Sequence, residues 1–144
     1  MVRMQDKWRE SIGYALVRAF RNVNRASNRD LRTLGLSAEQ AHILLVLWLE
    51  GPIKMGELQR ALALSSGTLS GAIDRMEEAG LARRVRDPDD GRAWLVEAAP
   101  MPAARRQAIQ SRLEIIEDSC FSTLTRDDRR ELLRLLDALS ASLE

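Results

Sequence analysis

Cysteine occurs once in this chain, at Cys120, so no disulfide can form within it. A reducing, cytoplasmic setting is therefore expected. Histidine also occurs once, at His42. With no second histidine and no nearby cysteine, a zinc site of ordinary ligand count has nothing to build on. No apolar run approaches the ~20 residues that a membrane-spanning helix needs. Arg9, Glu10 and Arg18 interrupt what would be the apolar region of a secretory leader, so no membrane partner is expected. There is no Ser/His/Asp set, no metal cluster and no glycine-rich phosphate loop. The chain reads as a non-enzyme without a cofactor. Lysine appears only at Lys7 and Lys54, so nearly every cation is arginine.

What is present is a 144-residue chain, 45% hydrophobic and 30% charged. That is enough for one globular domain with a modest core. The net charge of +1 does not announce nucleic acid. Its distribution is uneven: residues 1–36 are net +5, residues 37–100 net −3 and residues 101–144 net −1. Phosphate binding needs correctly placed cations rather than a positive average, yet a strong nonspecific binder is usually more basic.

From Met4 to about Leu34, Trp8, Ile12, Ala15, Leu16, Ala19, Phe20 and Val23 recur at spacings of three and four. This spacing predicts one long helix, with Arg18, Arg21, Arg25, Arg29 and Arg32 on its other face. Such a helix is not stable alone in water, so its apolar face must pack on something. Ser37 is a good N-cap, with Gln40 as its capping-box partner. Ala41 to Leu49 is nearly all apolar and reads as a buried helix. Two further helices are expected near the C-terminus. One runs from Ala103 to about Phe121, with Ile109, Leu113, Ile116 and Cys120 on one stripe. The other is capped by Thr125 and lined by Leu132, Leu133, Leu135, Leu136, Leu139 and Leu143. These helices carry more leucine than a domain of this size can hide, which points to pairing of subunits.

The middle of the chain is the most specific. A short helix from Met55 to Leu62, with Leu58, Ala61 and Leu62 inward, is followed by Ala63-Leu64 and Ser65-Ser66. A second helix has Leu69, Ile73 and Met76 inside and Ser66, Thr68, Ser70, Gly71 and Arg75 outside. Together they predict a helix-turn-helix. Small hydroxyl residues at a helix N-terminus suit phosphate and let the helix sit deep in a groove. Gly80 stops the second helix. Two strand-like runs follow, Leu81–Arg86 and Arg92–Val96, joined by Asp87-Pro88-Asp89-Asp90-Gly91. Ala82, Val85, Trp94 and Val96 are expected to form the inner face. Arg83, Arg84, Arg86 and Arg92 surround it, and Asp90 is placed to orient the Arg92 guanidinium. An arginine delivered into a narrow minor groove is drawn by its negative potential.

These residues carry a resemblance. The run L-x-x-A-L-x-L-S-S-G-T-L-S-x-x-I-D-R-M-E-x-x-G-L from Leu58 to Leu81, followed by R-x-x-D-P-x-D-G-R from Arg84 to Arg92, resembles the MarR family of transcriptional regulators, and the resemblance covers nearly the whole chain. It implies a mainly α fold with a small β-hairpin: a winged helix-turn-helix at 37–100, between an N-terminal dimerisation helix at 1–36 and C-terminal dimerisation helices at 101–144. It also implies a homodimer on a pseudo-palindromic operator in double-stranded DNA, commonly a repressor released by a ligand. Ser65, Ser66, Thr68, Ser70 and Arg75 match the recognition-helix positions, and Asp90 and Arg92 the wing. Arg84 and Arg86 are added as DNA-binding candidates. For a small aromatic or anionic effector, the family's pocket region points to Tyr14, Arg18, His42 and Trp48.

Three departures stand out. Gly71 replaces the larger or basic residue of many relatives. Glu97 to Pro102 replaces a leucine-threonine pair and helix start. Cys120 lies far from the N-terminal cysteine of the peroxide-sensing branch. The acidic middle segment and Gly71 also support an alternative, a helical dimer that acts through protein partners with weak DNA binding.

Overall fold

The computed structural model describes residues 4–144, with side chains from Asp6 onward; the first three residues of the expected 1–36 segment lie outside it. Seven α-helices and three short strands follow in order. They are α1 Met4–Arg9, α2 Ile12–Leu31, α3 Ala38–Glu50, β1 Ile53–Lys54, α4 Met55–Leu62, α5 Ser66–Glu78, β2 Ala82–Arg86, β3 Trp94–Ala98, α6 Ala103–Cys120 and α7 Arg126–Leu143. The chain divides into two compact units. One is residues 27–110 and the other joins the residues up to Ala26 with Ser111–Glu144.

In the first of these units, polar side chains mark where helices begin. Ser37 accepts from the Gln40 amide at 3.1 Å while the Gln40 side chain accepts from the Ser37 amide at 3.1 Å. This is the expected reciprocal box, and it satisfies two otherwise orphaned donors. The Ala38 amide donates to Asn28 Oδ1 at 2.7 Å, which ties the end of α2 to the start of α3. Between them a 3₁₀ turn, Arg32–Leu34, ends at Gly35 in the left-handed region (φ 72°).

The core gathers Leu31, Ile43, Leu44, Leu58, Leu69, Ile73, Met76, Leu81, Val96 and Ile109, each with under 2% of its surface exposed. Burying a side chain of this size stabilises by about 1.5–3 kcal/mol. One inward expectation fails. Ala61 of α4 is exposed, because Leu58 alone reaches the core from that short helix. On α3, Ala41, Ile43, Leu44 and Leu47 are buried and Leu45, Val46 and Trp48 half-buried, so the helix is covered over most of its surface and only His42 and Leu49 of the apolar run face out.

The sheet has three antiparallel strands in the order β1-β3-β2. The expected hairpin gains a third strand through Ile53 opposite Val96. Its register pairs Ala82 with Ala98, Arg84 with Val96 and Arg86 with Trp94. Directly opposed residues share a face and alternate along the strand. Ala82, Arg84 and Arg86 therefore lie on one face with Val96 and Trp94, and Val85 lies on the other with Leu95. Of the four residues expected inside, Ala82 and Val96 are buried, Val85 is half-buried on the opposite face, and Trp94 projects past the end of the core.

In the other unit, the single N-terminal helix of the sequence reading is broken. The Ser11 hydroxyl accepts from the Tyr14 amide at 3.3 Å, and its backbone amide donates to the Trp8 carbonyl at 3.2 Å. A serine that caps a new helix in this way competes with continuation of the old one. At the C-terminal end, Thr125 and Asp128 form a second capping box. Arg129 binds the Phe121 carbonyl and the Asp118 carboxylate, fastening the turn between α6 and α7. On the surface of α7 an Arg134 hydrogen bond holds the Glu131 carboxyl below its ordinary pKa. No residue of α7 is buried: Leu132, Leu133, Leu135, Leu136, Leu139 and Leu143 are all exposed. Trp8, Ile12 and Phe20 are also more than 60% exposed.

Candidate nucleic-acid interface

Helix α4 ends in an unusual turn. Ala63 sits in the left-handed region at φ 51°, ψ 39°, with its amide donating to the Arg60 carbonyl and the Leu64 amide to the Gln59 carbonyl. This conformation ordinarily selects glycine, because a Cβ there crowds the backbone. Two residues later Ser65 caps α5. Its hydroxyl accepts from the Thr68 amide at 3.2 Å and lies 2.8 Å from the Thr68 hydroxyl. The turn therefore swings α5 against α4 within three residues.

Leu69, Ala72, Ile73 and Met76 bury one face of α5. The expected inward positions are all met. Ser66, Gly67 and Thr68 are exposed at the helix N-terminus, Ser70 is half-buried and Arg75 is exposed further along. Arg75 does not pair with Asp74 or Glu78. Its Nη2 lies 3.8 Å from Glu39 Oε1 of α3. The Arg75 Nη1 also sits 3.4 Å from where a Cβ on Gly71 would be, so the missing side chain leaves the guanidinium room to lie back along the helix.

Arg84 lies on the sheet face that carries Ala82 and Val96. Its Nη1 is 2.9 Å from Asp74 Oδ1 and also binds Glu77, whose carboxylate accepts from the Arg84 amide as well. Arg83 pairs across the strands with Glu97. Both arginines are thus held within the fold.

The loop from Asp87 to Ala93 is closed by its own backbone. The Asp87 amide donates to the Ala93 carbonyl at 3.0 Å, and the Ala93 amide to the Asp90 carbonyl at 2.9 Å. Asp87 is buried and accepts from the Asp89 amide. The expectation that Asp90 orients the Arg92 guanidinium is corrected: Asp90 accepts from the Arg92 amide at 3.1 Å and so orients its backbone. A turn aspartate commonly binds the amide two residues on in this way. The Arg92 side chain is exposed and makes no ion pair among the described residues. Arg86 stacks on Trp94, with Cζ 4.0 Å from the ring centroid, and its Nη1 donates to the Gly91 carbonyl at 3.2 Å.

Of the effector candidates, Tyr14 and Arg18 belong to one unit and His42 and Trp48 to the other. Tyr14 and Arg18 line a depression of about 790 Å³ on α1 and α2, with Arg9, Ala15, Ala19 and Asn22. His42 is exposed on α3. Trp48 is half-buried on the same helix and lies under the Arg106 guanidinium at 4.9 Å.

A helix-turn-helix with a three-stranded wing can be compared with known proteins as a unit. Residues 36–94 match the MarR family profile. The regulator MgrA of Staphylococcus aureus is 30% identical over 133 residues, 92% of this chain and 89% of MgrA. The chain belongs to the MarR family. BpsR of Bordetella bronchiseptica, solved for the regulation of its DNA binding by 6-hydroxynicotinic acid, superposes with a TM-score of 0.82 at 27% identity, covering 91% of this chain and 94% of that one. A cysteine-to-serine variant of Escherichia coli MarR complexed with operator DNA shares the fold, with a TM-score of 0.80 at 24% identity over 89% of this chain and 92% of that one.

A MarR-family member is a DNA-binding transcriptional regulator and not an enzyme. Among the described residues no group of three or more His, Cys, Asp or Glu side chains converges as a metal site, and no helix is long and apolar enough to cross a membrane. The sequence marks none of Glu39, Asp74 and Glu77 as site residues, and it reads Trp94 only as part of the inner face of the sheet. The signal for Trp94 was available, since Arg86 and Trp94 flank the loop symmetrically. Glu39 is 36 positions from Arg75, and nothing in their spacing joins them.

Proposed function

We propose that this MarR-family regulator binds a pseudo-palindromic operator as a homodimer and represses transcription until a small aromatic or anionic ligand releases it. The observation that carries the reading is the pairing of two surfaces. The exposed Ser66-Gly67-Thr68 end of α5 has small side chains and outward helix-start amides, and the wing beside it presents the unpaired Arg92. The first suits a helix entering the major groove, the second the adjacent minor groove. Ser66, Thr68, Ser70, Arg75 and Arg92 are the contact residues on this reading. Ser65, Arg84, Arg86 and Asp90 shape the surface that carries them.

The acidic average of residues 37–100 does not oppose this. Glu39, Asp74, Glu77 and Glu97 are engaged with arginines, and Asp87 and Asp90 accept from their own turn amides. Few free cations remain, so affinity would rest on two copies placed about 34–36 Å apart, one turn of DNA. The exposed apolar faces of α1, α2 and α7 support pairing of two chains. For the effector, the Tyr14–Arg18 depression offers an aromatic ring beside Arg9 and Arg18, the chemistry that suits an aromatic acid such as the one regulating BpsR.

Genomic fragments selected by the purified protein, followed by a fluorescence anisotropy titration on the enriched site, test the reading directly. A palindromic site bound by two chains, and released by an aromatic acid, is the expected result. Enrichment of no site, or binding by single chains, overturns it. Leu136→Asp is expected to shift sedimentation toward the monomer; an unchanged sedimentation coefficient would remove α7 from the subunit contact.

A further inference from the structure

Trp94 is the one tryptophan of the sheet, and 46% of its surface is exposed. A large aromatic left open at a strand end has an evident use only if something lies on it. Arg86, its direct cross-strand partner, does so. The same guanidinium donates to the Gly91 carbonyl, the residue before Arg92. One side chain therefore joins the last paired position of the sheet to the tip of the wing. We propose that Arg86 and Trp94 form a clamp that holds the wing in its DNA-ready shape, making both positioning residues for Arg92 and removing Arg86 from the set of phosphate contacts.

The physical argument has three parts. Seven residues separate Arg86 from Trp94, more than the two to five of common hairpin loops, so the wing needs bonds beyond its stem to keep one shape. Four of those bonds run within the loop itself, from Asp87, Asp89, Arg92 and Ala93 amides. The Arg86–Gly91 bond is the only one among the described residues that ties the tip back to the stem by a side chain. Second, a guanidinium is planar and can stack on the indole with its face while donating from its edge; lysine can do only one of these well. Third, a loop ordered before binding does not have to be ordered by the DNA, so the clamp lowers the cost of association.

The inference rests on the reading of Arg92 as the minor-groove contact, and the experiment separates the two. Trp94→Ala, Trp94→Phe, Arg86→Lys, Arg92→Ala and the Trp94→Ala/Arg92→Ala double variant are titrated with operator DNA across a salt series. Amide hydrogen exchange in the wing of the free proteins is measured alongside. Trp94→Ala is expected to weaken binding about two- to tenfold, the range covered by a cation–π pair, with the salt slope unchanged. Trp94→Phe keeps a ring face and should restore most of the affinity. Arg86→Lys should behave like Trp94→Ala although it keeps the charge. Exchange at Arg92 and Ala93 should speed up in Trp94→Ala, and the double variant should bind little worse than Arg92→Ala alone. Two results overturn the clamp: affinity in Trp94→Ala equal to wild type beside a weakened Arg92→Ala, or wild-type affinity in Arg86→Lys, since a lysine that serves as well as the arginine marks a charge contact and not a stacked one. An Arg92→Ala variant that binds like wild type instead overturns the minor-groove reading, and the clamp's role in binding falls with it.

Discussion

Arg84 of β2 reaches Asp74 of α5 at 2.9 Å and binds Glu77 with the same nitrogen, so one cation fastens α5 to the sheet. Arg84→Gln should lower stability by about 1 kcal/mol, the upper end for partly exposed ion pairs. Chemical denaturation measures that loss. In the same variant the salt dependence of DNA binding should not change, because the lost charge was facing α5. A slope smaller by one would return Arg84 to the phosphate contacts.

Ala63 holds a left-handed backbone that costs an L-residue roughly 1–2 kcal/mol. Ala63→Gly should therefore raise the unfolding free energy by about 0.5–1 kcal/mol, after the larger chain entropy of glycine is counted. Ala63→Val should lower it. A glycine variant no more stable than wild type in a urea titration would mean that the turn is not strained.

Gly71 lies mid-helix, where alanine is favoured over glycine by roughly 0.8–1.0 kcal/mol. The nearest atom to an added Cβ is the far end of the flexible Arg75 side chain. Gly71→Ala should accordingly stabilise the protein by up to about 1 kcal/mol. The Arg75 guanidinium has to give by no more than a few tenths of an ångström, so the DNA affinity of this variant should stay close to wild type. A lower unfolding midpoint would show that the space at Gly71 is needed for something other than Arg75.

Arg92→Ala should weaken operator binding by roughly 1–3 kcal/mol and reduce the salt slope by about one. Its thermal midpoint should stay at the wild-type value, since the side chain is exposed and makes no ion pair among the described residues. Anisotropy titrations at three salt concentrations, with a melting curve, check both halves.

Much of the fold was legible because helix starts are local. Ser37 with Gln40, Ser65 with Thr68 and Thr125 with Asp128 announce themselves within three residues. The apolar stripe Leu69, Ile73, Met76 follows from the helical period alone. The break at Ser11 was hidden, since the apolar spacing runs through it and only a side-chain bond to the Tyr14 amide decides against one helix. The inner face of the sheet was half legible. Val85 and Ala82 differ by an odd count and cannot share a face, and Trp94 stays exposed although it lies on the same face as the buried Val96. Within the site, the hydroxyl face of α5 was readable, but the partners of its arginines were not. Glu39 and Asp74 reach Arg75 and Arg84 through tertiary packing, which charge spacing along the chain does not encode.

No leucine of α7 is buried within its own chain, and Leu133 and Leu143 are more than 60% exposed. Helices of that kind borrow their stability from whatever covers them. When the cover is a second copy, folding becomes linked to abundance, and the melting temperature rises with the amount of protein present. Gene dosage would then act twice, once on the number of chains and again on the fraction that is paired. A modest fall in expression would empty operators more than in proportion, giving the regulated genes a threshold without any added ligand.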